Sequence, residues 1–243
     1  MRNLPEFNEQ NNTTSLLLKF DNAQSFFIVF RTAAAKNIAD KKINFPAFKE
    51  LLTIKGAWQV KFDDAWGGPA KPVIFSALTD WTKNEQAGIK YYSGRAVYQK
   101  YFDVAAATVT GRQVPLYLDL GVVKHIASVK LNNSDLGVVW TAPWKIKIPP
   151  GLLKPTGNLL VIEVTNVWAN RLIGDEQEPA DCEWIPGYIS GGNSLKEFPD
   201  WFLNKQPRPS KGRYCFTTWN YFTKNSPLIS SGLLGPVRIM KEE

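Results

Sequence analysis

The chain has 243 residues and a net charge of +7, with nine Trp, eight Tyr and fourteen Phe, so one sizeable core is within reach and aromatic side chains are abundant. Two cysteines exclude a disulfide-dense scaffold and a multi-cysteine zinc site, and a single His removes most metal-site and Ser/His/Asp chemistry. The basic groups Lys41-Lys42 and Lys205 to Arg213 are short, broken by Pro and Ser, and lack a nucleic-acid-binding motif, so the charge reads as solvated surface and the expected partners include neither nucleic acid nor membrane.

The N-terminus, Met1 to Thr14, is polar and lacks the apolar stretch of a secretory signal; the expectation is an intracellular chain or one that begins inside a longer one. No apolar run approaches the roughly 20 residues that span a bilayer. Ser25 to Arg31 (SFFIVFR) is a short apolar run predicted as a buried strand, followed by a polar connection through Lys42. Gly56 to Asp63 alternates, with Trp58, Val60 and Phe62 on one face, which predicts a half-buried strand. Asp64 to Ala87 is rich in turn residues and reads as a loop. From Ile89 to Val104 a β-rich stretch resumes, with Gly94 a candidate bulge or kink. Val114 to Gly121 turns Leu116, Leu118 and Leu120 inward. Ala127 to Trp140 predicts a hairpin with Asn132-Asn133 at its tip, because Asn tolerates the left-handed conformation that tight turns require. Trp144, Ile146 and Ile148 alternate with lysines, and Leu159 to Val167 closes this set.

Regularity fades from Asn170 to Arg213, and irregular stretches of that length are commonly functional or cover a sheet. Arg213 to Phe222 and Gly235 to Met240 read as two last strands. The expectation is an all-β chain: residues 1–55 form an N-terminal extension with one strand, packed on or preceding the sandwich, and residues 56–243 form the sandwich, with a long loop at 170–213.

The strings YYSGRAVYQKYF, LDLGVVKHIASVKLNNSDLGVVWTAPWKIKI and LLVIEVTNVWANR resemble the sugar-binding jelly-roll domain of family 2 glycoside hydrolases. The likeness to the C-terminal region of glycoside hydrolase family 106, the α-L-rhamnosidases, extends to GAWQVKFDDAWGGP, NRLIGDE and SPLISSGLLGPVRI, and covers roughly residues 25 to 240. It implies a galactose-binding-like jelly-roll β-sandwich. The usual Asn-Gly of the hairpin is here Asn132-Asn133, and the chain is too short for the catalytic barrel of such enzymes. The resemblance therefore implies a non-catalytic carbohydrate-binding or structural accessory domain, whose partner is a carbohydrate or a glycosidase catalytic domain. Its location would follow the parent enzyme, periplasmic or secreted.

Chemistry of its own would need two carboxyl groups about 5 Å apart for retention, or about 6.5–9.5 Å for inversion. Asp63, Asp64, Asp80, Asp119, Asp175, Glu176 and Glu183 are the candidates. Asp175 and Glu176, read as neighbours on an extended strand, point to opposite faces and make a poor catalytic pair. They are candidates for a sugar-hydroxyl or cation contact, against a structural ion pair between Arg171 and Asp175 or a loop turn. The alternative function is a small self-sufficient glycoside hydrolase using these loop carboxylates. Asp63 and Asp64 are candidates for Ca²⁺, although Gly67-Gly68-Pro69 is explained by turn chemistry alone; no other cofactor is expected. His125 reads as a surface residue, and Ser190 lacks the motif and second histidine of a Ser hydrolase. A sugar site needs an aromatic platform beside hydrogen-bonding groups. Trp66, Trp81, Trp140, Trp168, Trp184 and Trp201 are candidate platforms, with core packing the competing fate of Trp140 and Trp168. Arg95, Asn166, Asn170, Arg171, Asp175 and Glu176 are the candidate polar partners.

Overall fold

The computed structural model describes residues 4–21, 24–30, 43–110, 114–187 and 191–243. The first half holds strands β1 (Phe7–Gln10), β2 (Thr13–Leu16), β3 (Phe48–Thr53), β4 (Trp58–Lys61) and β5 (Val73–Phe75), helix α1 (Ala87–Lys90), β6 (Arg95–Phe102), helix α2 (Ala106–Thr110), β7 (Leu116–Asp119) and β8 (Val122–Lys124). The second holds β9 (Ile126–Leu131), β10 (Ser134–Val139), β11 (Lys145–Ile148), β12 (Asn158–Thr165), helix α3 (Ala169–Asp175), β13 (Trp184–Pro186), β14 (Asn193–Leu195), helix α4 (Asp200–Leu203), β15 (Trp219–Asn220), β16 (Gly232–Gly235) and β17 (Arg238–Glu242).

The fold is an all-β sandwich. A six-stranded antiparallel sheet runs β10-β9-β12-β6-β4-β5, and a four-stranded one runs β11-β7-β17-β3. Both contribute their apolar faces to one core. Central β12 buries every second residue, so Leu160, Ile162 and Val164 meet Ala96 and Tyr98 of β6, Val129 and Leu131 of β9, and Leu118 and Ile239 from the other sheet. Alternation at period two makes this possible, since it turns one complete face of each strand away from water. The β9–β10 hairpin turns at Asn132 (φ 49) and Asn133 (φ 67) as predicted. The Asn132 side chain also ties the tip down, accepting from Leu159 N–H and donating to the Leu152 carbonyl and Asn158 Oδ1.

Several expectations are corrected. Ser25 to Phe30, the described part of the predicted first strand, is not a strand; Phe27 is 98% exposed. An unbroken apolar run does not specify a face; among the described residues Phe26 meets the rings of Phe20 and Phe45. The polar N-terminus instead forms the β1–β2 hairpin, turning at Asn11 (φ 51) and Asn12 (φ 58). Strand β3 pairs with β17, so the sandwich takes in residues assigned to the extension. The predicted loop at 64–87 contains β5, two 3-10 turns and the start of α1. The β-rich stretch from Ile89 begins as helix and becomes strand only at Arg95, after Gly94 at φ 137. The stretch from Arg213 to Phe222 has ladder pairing only at Trp219 and Asn220, and the long loop expected at 170–213 contains α3 (Ala169–Asp175), β13, β14 and α4.

A buried polar clamp fixes what lies beyond β12. Asn166 accepts from Gly94 N–H and donates to the Tyr92 carbonyl and Ser231 Oγ. Asp80 accepts from the Ser231 N–H, and Asn170 both donates to the Ile229 carbonyl and accepts from its N–H. Buried amides with every arm engaged set the entry angle of α3.

A candidate sugar-binding cleft beside helix α3

Helix α3 is one face of a lobe, residues 169–222, completed by the small antiparallel sheet β13-β14-β15 and by α4. One helical turn places Arg171 and Asp175 on the same side. Arg171 Nε donates to Asp175 Oδ1 at 2.9 Å, and both side chains are buried. The other carboxylate oxygen accepts from the Tyr214 and Cys215 N–H groups at 3.1 and 2.7 Å. Those two amides are thereby taken from any β-ladder, which explains why the predicted strand at 213–222 fails to form. The guanidinium also lies over the Tyr214 ring, 4.9 Å from its centre. Gly174 leaves it room: a Cβ there would collide with Arg171 and with Tyr91.

Between α3 and the small sheet opens a cleft of about 700 Å³. Its wall from Phe216 to Phe222 is rich in aromatic rings, with Trp184 facing in from β13. Trp219 and Tyr221 are 44% and 55% exposed, and their ring centres lie 5.4 Å apart at a 44° tilt. Apolar walls with a few fixed polar groups are the usual make-up of a small-ligand site.

Three carboxylates line the cleft, and each engages an arginine. Asp175 holds Arg171, Glu176 accepts from Arg213 Nη1 at 2.9 Å, and Asp181 takes Arg208 Nε at 2.5 Å with a second contact from Nη2 at 3.3 Å. Burial pushes the Asp181 carboxyl up, but the hydrogen bond and charge of Arg208 outweigh it and hold the group below the ordinary carboxylate value. Cys182 and Cys215 line the same cleft as free thiols. Burial, reinforced by the charge of Asp181, raises Cys182 to about 11; burial, reinforced by Asp175, raises Cys215 to about 12. Both stay protonated near neutral pH and are poor nucleophiles.

Of the sequence candidates, Asp175, Glu176 and Trp184 line this cleft, Arg171 stands directly behind Asp175, and Trp168 contacts Cys215. Trp66 packs edge-on against Trp168 at 4.9 Å. The other candidates are elsewhere. Trp81 is fully buried in the core with its indole N–H on Tyr98, so it cannot be a platform. Asn166 and Asn170 are consumed by the clamp, and Arg95 pairs with Glu163 on the outer face of the six-stranded sheet. Trp140, 71% exposed, follows edge strand β10. Trp201 packs on Phe216 and Phe202 behind the cleft. Asp63 caps a 3-10 turn through the Ala65 N–H and Asp64 is exposed; among the described residues no group of three or more His, Cys, Asp or Glu gathers to hold a metal ion. Glu183 is exposed on Lys196, Asp80 belongs to the clamp, and Asp119 pairs with Arg238. His125 is half-buried, with Nδ1 shielded and unpartnered among the described residues, a correction to its expected surface position. Ser190 lies outside the described residues.

Arg208 and Arg213 correct the reading of the Lys205–Arg213 group as solvated surface: their side chains are only 18% and 7% exposed. The signal that could have found them is the acidic stretch Asp175 to Asp181, which needs counter-charges if it is buried.

No family model matches the chain. It is 39% identical over 210 residues to a protein of Formosa agariphila (strain DSM 15362 / KCTC 12365 / LMG 23005 / KMM 3901 / M-2Alg 35-1) named "Putative beta-glucuronidase", covering 86% of this chain and 17% of that protein. The solved structure of a rhamnosidase from Novosphingobium sp. PP1Y superposes with a TM-score of 0.65 at 31% identity, covering 86% of this chain and 16% of that one. This chain is a glycoside-hydrolase-related domain. It spans about one sixth of the length of either relative.

Proposed function

We propose that the chain is a non-catalytic accessory module of a rhamnosidase-type glycoside hydrolase, a galactose-binding-like sandwich whose aromatic cleft holds a glycan residue. One observation carries the reading: every carboxylate lining the cleft lies against an arginine. Hydrolysis of a glycosidic bond needs one carboxyl group that keeps its proton until the leaving oxygen takes it, and a second one free to attack or to activate water. An arginine partner engages the oxygens that would do this work. The aromatic wall supports the binding half of the reading, since a sugar's C–H face packs on aromatic rings. A structural role against a catalytic domain is favoured by the exposed apolar side chains of Leu17, Phe27, Val29 and Phe30.

Purified chain incubated with 4-nitrophenyl α-L-rhamnopyranoside and 4-nitrophenyl β-D-glucuronide should release no nitrophenol. Turnover that disappears in Asp181→Asn or Glu176→Gln would overturn the reading in favour of a self-sufficient hydrolase.

A further inference from the structure

We propose that the cleft accepts an uncharged pyranose residue and rejects a uronate, because its charges are already closed into pairs. The inference rests on the reading of the cleft as a glycan site.

A carboxylate on a ligand is recognised by a cation with donors to spare, and a bidentate guanidinium is the usual device. The two arginines that line the cleft are already committed. Arg208 spends Nε and Nη2 on Asp181, and Nη1 on the carbonyls of Arg213 and Cys215. Arg213 donates from Nε to the Pro179 carbonyl, from one N–H of Nη1 to Glu176 and from one N–H of Nη2 to the Glu178 carbonyl, so its charge and three of its five donors are engaged. Arg171 is paired with Asp175 under the Tyr214 ring. Three cations therefore meet three carboxylates, and the local charge sums to zero. An entering anion would come to lie beside the carboxylate that each arginine already holds, a like-charge contact in a partly buried place.

A neutral sugar meets none of this cost. Trp219 and Tyr221, tilted by 44°, form a bent aromatic surface that fits the C–H face of a pyranose. Thr217, Thr218 and Asn220 add uncharged hydroxyl and amide groups to the same wall, the donors and acceptors that sugar hydroxyls need. The exclusion thus comes from charges that are present but already satisfied.

The matched pair methyl β-D-glucopyranoside and methyl β-D-glucuronopyranoside differs only at C6. Methyl α-L-rhamnopyranoside, methyl β-D-galactopyranoside and methyl α-D-galacturonopyranoside widen the set. Titration of the full chain by tryptophan fluorescence should show at least one neutral glycoside binding about tenfold more tightly than either uronate, the scale of one charge-assisted hydrogen bond. Trp219→Ala should abolish the response while circular dichroism stays unchanged. Glu176→Gln frees Arg213 and should narrow the gap by strengthening uronate binding alone. A uronate that binds the unaltered chain more tightly than every neutral glycoside overturns this inference and leaves the glycan site standing. No Trp219-dependent response to any probe overturns both.

Discussion

Strand β12 ends at Thr165 and helix α3 begins at Ala169, yet the two elements are held in place by opposite chemistry. Strand β12 buries Leu160, Ile162 and Val164, while α3 buries Asn170, Arg171 and Asp175. Apolar burial is undirected: what Ile162 needs is to be out of water, and many neighbours serve. A buried guanidinium is particular, because it needs its own carboxylate at hydrogen-bonding distance. The sandwich is therefore expected to tolerate small losses, and the lobe to fail at single side chains.

The sharpest break of this contrast is Asp175→Ala. It strands the buried Arg171 guanidinium and leaves the Tyr214 and Cys215 N–H groups without their acceptor. Breaking a buried pair from one side costs about 3–5 kcal/mol. Hydrogen exchange read by mass spectrometry should show that loss in residues 169–222, while β6 and β12 keep most of their protection. Equal loss in both regions would mean that sandwich and lobe unfold as one unit, and the contrast would fall.

Acid gives a gentler break with a definite sign. Asp181 lies below the ordinary carboxylate value because Arg208 outweighs the effect of burial, so the unfolded chain binds more protons in that window. Its contribution is fully present above the unfolded value of about 3.9 and is lost as pH falls through the lowered folded value. Asp80 shifts in the same direction: burial raises it, and hydrogen bonds from Ser230, Ser231 and Thr82 more than reverse this. On titration below about pH 4, the near-ultraviolet aromatic signal should fade before the far-ultraviolet β signal, and Asp181→Asn should flatten the first transition. Coincident loss of both signals would again make one unit of the two regions.

The same contrast explains what the sequence discloses. Period-two alternation is written along one strand, so β4, β7, β9, β11 and β12 are legible residue by residue. The Asn132-Asn133 turn is legible because it lies between two alternating strands. The identical pair Asn11-Asn12 lies between Phe7–Gln10 and Thr13–Leu16, which are mostly exposed and carry no such pattern, and its hairpin is hidden. The Arg171–Asp175 ion pair is within reach of sequence reading because the two residues are close in the chain, but the helix that makes four residues one turn is not. Arg208 and Asp181 stand 27 residues apart, and nothing local marks either as the other's counter-ion. The cleft is built from contacts of that long-range kind, so its aromatic wall at 216–222 goes unseen while scattered loop tryptophans attract attention.

Trp140 tests that last point with the smallest expected effect. It fits the composition of a sugar platform, being a large exposed ring at the end of a strand, but it does not line the cleft with its arginine–carboxylate pairs. Exposed single substitutions away from caps and buried polar groups usually change stability by about 0.5 kcal/mol or less. Trp140→Ala should therefore leave the thermal midpoint close to that of the unaltered chain. It should also leave glycoside binding intact under conditions where Trp219→Ala removes it. Loss of binding in Trp140→Ala alone would move the site to the outer edge of the six-stranded sheet, where no arginine is shown neutralised by a cleft acid and the argument against charged sugars would no longer apply.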